Sequence, residues 1–161
     1  MKKAGFSLIE LIIVIALIGI ILSISSINFN SWQRKYQIEA QTKEILADIT
    51  GVRMQAIETK NKFRIVLNPT SYAFLPYSTE TSVSSKPVLS KTVKHQFKQL
   101  KSSGLSDFNN TNIEIDERGY TTGWLTIAVG AGAADPAYNC LALSWARVNM
   151  GKINGNICEF K

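Results

Sequence analysis

The apolar positions of this chain change rhythm twice. From residue 11 to residue 22 every position is apolar or glycine (LIIVIALIGIIL), and Glu10 is the only charged residue between Phe6 and Leu22. A segment greasy on every side suits a hydrocarbon surrounding rather than the surface of a globular domain. Seventeen residues of helix rise about 25 Å, close to the roughly 30 Å core of a bilayer. Past Leu22 the pattern turns one-sided. Phe29, Trp32, Tyr36, Ile45, Ile49, Val52 and Ala56 recur at spacings dominated by three and four, with a softer patch near Ala40. Ile38, Leu46, Arg53 and Ile57 widen that stripe, while Lys35, Glu39, Lys43, Glu44, Asp48 and Glu58 occupy the other faces. This predicts an amphipathic helix over 28–60 that continues the first segment into one helix of more than 50 residues. The aromatics Phe29, Trp32 and Tyr36 are expected to pack at the membrane exit or on a sheet.

From residue 63 the rhythm shortens to that of strands. Residues 63–67 end at Asn68-Pro69, a turn signal, and 72–77 follow as the hairpin partner. Residues 79–90, rich in Ser and Thr, read as a loop. Residues 92–100 alternate weakly, with Lys91, Lys94, Lys98 and Lys101 making a basic solvent side. A short strand at 113–115, a tight turn at 116–120 with Gly119 supplying the permissive φ, and a central strand at 124–129 come next. Residues 130–136 form a small-residue loop, and 139–145 with 146–149 read as a closing hairpin. The expected class is α+β: a long N-terminal helix packed on antiparallel sheets, with residues 61–161 as the β domain.

Composition narrows the picture. The 161 residues leave room for one compact domain beside the N-terminal segment, which inflates the apolar fraction of 45%. The formal charge of +6 permits nucleic-acid binding without implying it. Two cysteines and no CxxC disfavour a zinc site or a dithiol centre. His95, the only histidine, has no recognisable nucleophile or acid partner and is expected at the surface. Asp107, Glu114, Asp116, Glu117 and Asp135 lie mostly in predicted turns and form no tuned pair. Gly130-Ala-Gly132 lacks the surroundings of a phosphate loop. No enzyme activity, no cofactor and no metal are expected.

Glu10 carries the chemistry. A carboxylate near the middle of a membrane helix costs roughly 2.5–3.5 kcal/mol on insertion scales, so it is a site by default. A removable secretory signal with a cut near Ser23 to Ser26 is disfavoured by that acid and by the length of the run. A plain single-span anchor, oriented by Lys2 and Lys3, leaves the acid without a reason. The stretch KKAG-FSLIEL resembles the leader of type IV pilins and pseudopilins. That resemblance implies peptidase cleavage after Gly5, N-methylation of Phe6, and an assembly role for Glu10. It divides the N-terminal part into a leader at 1–5 and a membrane-spanning polymerisation helix at 6–27. Removing Lys2 and Lys3 with the leader takes the charge from +6 to +4. Phe6 and Glu10 are offset by about 6 Å along a helix, so a neighbour shifted by a similar distance brings its Phe6 amine beside this Glu10. Each charge then neutralises the other, and the pair fixes register more than it adds stability.

The second half resembles, less specifically, the FimT/GspH-like pseudopilin domain. The resemblance rests on Arg118-Gly119, the strand ending at Val129, a strand begun by Cys140, and Ala146-Arg147-Val148, where the family often has Gly-Arg-Val-Arg. It implies a periplasmic domain in which the long helix packs against antiparallel sheets. With residues beyond Leu22 in the periplasm, Cys140 and Cys158 are candidates for a disulfide, and two buried free thiols are the alternative. The leading expectation is a structural subunit of a periplasmic pseudopilus in type II secretion. It would be held in the inner membrane by a single pass, with other pilin-like subunits, a prepilin peptidase and an inner-membrane assembly platform as partners. The runner-up is a minor type IV pilin that binds DNA through Arg147 and Lys152, with Lys161 at the end. A stand-alone anchored binding domain is a third class, indifferent to loss of Glu10.

Overall fold

The computed structural model describes residues 7–132 and 134–160, without the side chains of residues 24–28. One helix, α1 (Leu8–Thr59), is followed among the described residues by ten strands. These are β1 (Phe63–Leu67), β2 (Ser71–Pro76), β3 (Leu89–Thr92), β4 (Phe97–Lys101), β5 (Gly104–Asp107), β6 (Thr111–Ile115), β7 (Leu125–Val129), β8 (Cys140–Leu143), β9 (Val148–Asn154) and β10 (Ile157–Phe160). The chain forms two compact units, Met1–Arg34 and Lys35–Lys161. A long helix followed by antiparallel sheets makes the fold α+β, consistent with a pilin-like architecture.

In the first unit the large apolar side chains of residues 8–22 are 47–77% exposed. Among the described residues no helix is long and apolar enough to cross a membrane. The apolar turns at 8–22 rise about 22 Å, short of a roughly 30 Å hydrocarbon core. The predicted span of 6–27 includes Phe6, which lies outside the described residues. Phe29 and Trp32 stand 6.2 Å apart, ring centre to ring centre, and both are exposed.

The second unit holds the core. Ile38, Thr42, Ile45, Ile49, Val52 and Ala56 of α1 are buried, at spacings of four, three, four, three and four. Of the predicted stripe, Ile38, Ile45, Ile49, Val52 and Ala56 are buried, whereas Phe29, Trp32, Tyr36 and Ile57 are exposed. Tyr36 is exposed instead of packed on a sheet. Thr42 bridges the softer patch because its hydroxyl donates to the Ile38 carbonyl at 2.8 Å, which satisfies the only polar atom of its side chain. The helix stops where Lys60 turns left-handed (φ 51°) and the Asn61 N–H reaches back to the Ala56 carbonyl, a Schellman closure.

Two antiparallel sheets complete this unit. The four-stranded sheet has the order β3-β2-β1-β6, and the six-stranded sheet the order β10-β9-β8-β7-β4-β5. Phe63, Ile65 and Leu67 of β1, Tyr72 and Phe74 of β2, Leu125, Ile127 and Val129 of β7, and Leu141 and Leu143 of β8 meet the helix stripe in one core. The turn between β6 and β7 forms as the sequence predicts. Gly119 has φ 79°, and Asp116 Oδ1 accepts from the Arg118 and Tyr120 amides. Arg53 of α1 ties this turn to the next: its Nε donates to the Gly119 carbonyl at 2.6 Å and its Nη2 to the Trp145 carbonyl at 3.2 Å.

Other expectations need correction. Of the strand predicted at 92–100 only 97–100 lies in one strand, β4; Thr92 ends β3, which begins inside the predicted loop at 79–90 and belongs to the other sheet. The break between them is held by the Gln41 side chain, which donates to the His95 carbonyl at 2.7 Å and accepts from its amide at 3.0 Å. His95 is accordingly half-buried rather than a surface residue. β5 falls where the sequence predicts no strand. The closing hairpin joins β8 to β9 across a turn at 144–147, where the Ser144 amide donates to the Arg147 carbonyl.

Candidate functional site

Ser7 and Glu10 open α1 together. The Ser7 carbonyl accepts from the Glu10 and Leu11 amides at 3.1 and 3.3 Å, and the Glu10 carboxylate reaches back to the Ser7 amide at 3.5 Å. This is the acidic half of a capping box, and the signature Ser-x-x-Glu was present in the sequence. A carboxylate in a first turn also suits the positive end of the helix dipole. These roles engage one edge of the group loosely. Among the described residues no cation pairs with Glu10, so an external one can approach. Gly5 and Phe6, the predicted processing pair, lie outside the described residues.

Cys140 and Cys158 are joined in a disulfide, with Cα atoms 6.0 Å apart. Their strands are not neighbours, because β9 lies between β8 and β10. Flat strands two places apart are separated by about 9.6 Å, so the sheet must crease, and Gly151 of β9 is the crease. It pairs with Cys140 on one side and Phe160 on the other. A Cβ at Gly151 would stand 2.2 Å from the Glu159 carbonyl oxygen and 3.1 Å from Cys158 Sγ. The bare backbone therefore lets β10 fold back over the sheet, against β8 and β4. Leu100, Ala128, Cys140 and Cys158 form a small second core beneath it. The Asn156 side chain donates to the Ser102 carbonyl at 3.1 Å and ties the β9–β10 turn to the end of β4. The sequence offered the cysteine pair but no signal for the crease.

The two cations of the nucleic-acid reading are not brought together. Arg147 is exposed in the turn before β9, whereas Lys152 sits further along that strand. Five residues of strand separate them by about 16 Å. Lys152 is engaged by Asp135 at 2.8 Å. Lys161 lies outside the described residues. Several of the acids surveyed above have structural partners as well. Asp107 faces Lys98 at 3.6 Å, and Glu114 faces Arg64 at 2.9 Å and accepts from the Tyr77 hydroxyl. Those bonds, Tyr77 first and Arg64 second, hold the Glu114 carboxyl below its usual pKa. On the helix side, Asp48 Oδ2 accepts from the buried Tyr72 hydroxyl at 2.5 Å and pairs with Lys91 at 2.8 Å. These carboxylates hold the fold together.

The architecture and the start of α1 support a type IV pilin-like protein. Residues 1–26 match the family model described as the prokaryotic N-terminal methylation motif, which covers Gly5, Phe6 and Glu10. No curated protein and no solved structure matches the chain.

Proposed function

We propose that this protein is a structural subunit of a periplasmic pseudopilus in type II secretion, held in the inner membrane before assembly. The observation that carries the reading is Glu10, an acid without a cationic partner among the described residues, heading an exposed apolar helix inside a methylation motif. After cleavage behind Gly5, the methylated amine of Phe6 on one copy neutralises Glu10 of the next, away from water. The apolar turns at 8–22 then pack against their equivalents.

Mass spectrometry of the native chain should find a mature N-terminus at methylated Phe6, and Glu10→Ala should reduce filament incorporation at least about tenfold. An intact Met1, or normal incorporation of the variant, would overturn the proposal. DNA binding in a minor type IV pilin is the second reading. Arg147, exposed and unpaired among the described residues, favours it, while the engagement of Lys152 by Asp135 weighs against it.

A further inference from the structure

Folding β10 back over the six-stranded sheet leaves a groove beside it. The floor is made of small side chains, Thr126 of β7 and Ala142 of β8. Phe160 walls one side, Trp124 stands at one end at 85% exposure, and Lys101 and Arg147 supply charge. The main section has a volume of about 710 Å³, within the range of ligand-sized clefts, about 300–1,000 Å³. No Asp or Glu lines it, and neither Lys101 nor Arg147 is ion-paired to a described residue. β10 is the terminal strand of its sheet and pairs only with β9. One row of its backbone N–H and C=O groups is therefore left open to pairing.

The geometry points to an extended acidic segment of a partner protein, docked as an added strand on the free edge of β10. Three independent features converge on that occupant. An open strand edge offers main-chain hydrogen bonds to another extended backbone and to little else. The small residues of the floor let a further strand approach closely, and alternate side chains of that strand would reach the floor and the solvent in turn. Lys101 at the end of β4 and Arg147 before β9, with no acid among the residues lining the groove, match carboxylates on the incoming segment, and Trp124 and Phe160 cover its apolar positions. The disulfide and the Asn156–Ser102 hydrogen bond hold β10 in place beforehand, so the edge is presented without a folding cost on binding. This proposal does not depend on the role given to Glu10.

The test uses the full chain in detergent micelles and a fluorescent, capped peptide of alternating valine and glutamate, read by anisotropy. The peptide should bind. Alternate backbone N-methylation, which removes the donors a strand needs, should weaken it by about tenfold or more. Replacing glutamate by lysine in the peptide should abolish binding. Lys101→Glu with Arg147→Glu should weaken the acidic peptide to a similar extent at unchanged melting temperature. If that pair fails to fold, Lys101→Gln with Arg147→Gln replaces it, with the same direction expected. Equal binding of the N-methylated or lysine peptide would overturn the proposal, as would no binding at all. Tighter binding of oligothymidine than of the acidic peptide would also overturn it, and would assign the groove to single-stranded nucleic acid instead.

Discussion

Two stretches of α1 use the same residues to opposite ends. Ile12, Ile13, Ile15, Ile18, Ile20 and Ile21 are all half-exposed or more, whereas Ile38, Ile45 and Ile49 are at most 1% exposed. Hydrophobicity alone does not decide which isoleucine joins the core. The second stretch concentrates its apolar residues on one stripe, which a sheet can cover, and leaves Lys, Glu and Asp for water. The first is apolar on every side, so no single sheet could cover it, and it stays exposed. Periodicity, more than composition, separates an isoleucine buried in the domain core from one left exposed.

The comparison breaks first at its isoleucines. Ile49→Ala should cost the folded domain about 2–5 kcal/mol in denaturant unfolding, while Ile13→Ala should leave it within about 0.5 kcal/mol of the parent. Similar losses at both positions would erase the distinction. Reducing the Cys140–Cys158 bridge, which closes a loop 18 residues apart in sequence, should cost on the order of 3 kcal/mol. Hydrogen exchange should then rise in β9 and β10 before it rises in residues 38–56 of α1.

Tyr72→Phe sharpens the contrast on the buried side, since it removes a hydrogen bond to a charged group worth about 1–3 kcal/mol. Burial, followed by the Asp48 bond, raises the Tyr72 pKa from its ordinary value of 10.0. A group raised in the folded state contributes fully below its unfolded value. Stability should therefore fall as the pH rises beyond 10.0, and the Phe variant should show a shallower alkaline loss in melting temperature.

The smallest effect is expected at Glu114, whose carboxyl is lowered from 4.5 but is 40% exposed. Its contribution is present above 4.5 and disappears as the pH falls through the lowered folded value. Glu114→Gln should flatten that acid limb slightly; an unchanged limb would show that solvent screens the pair fully.

What the sequence made legible follows burial closely. β1 and β7 were readable because β1 buries alternate residues and β7 is almost wholly buried. β3 and β5 bury little on either face, so no apolar rhythm marks them. An aromatic at helical spacing such as Tyr36 looks like core, yet Tyr36 is exposed while its neighbour in the stripe, Ile38, is buried. The cysteine pair was visible by counting, while the crease at Gly151 depends on a contact with Glu159 that only folding creates. Glu10 is legible from its improbable surroundings, and the Ser-x-x-Glu spacing carries its capping partnership with Ser7.

Arg53 has a mechanical consequence. Tension along the second half of α1 loads its contacts with the sheets in shear, so that many must give together instead of one after another. The guanidinium sits near the C-terminal end of that stretch and grips two turns through the Gly119 and Trp145 carbonyls. Sliding the helix would have to break both of those bonds while dragging a partly buried cation past its neighbours. A domain built in this way resists having its helix drawn out.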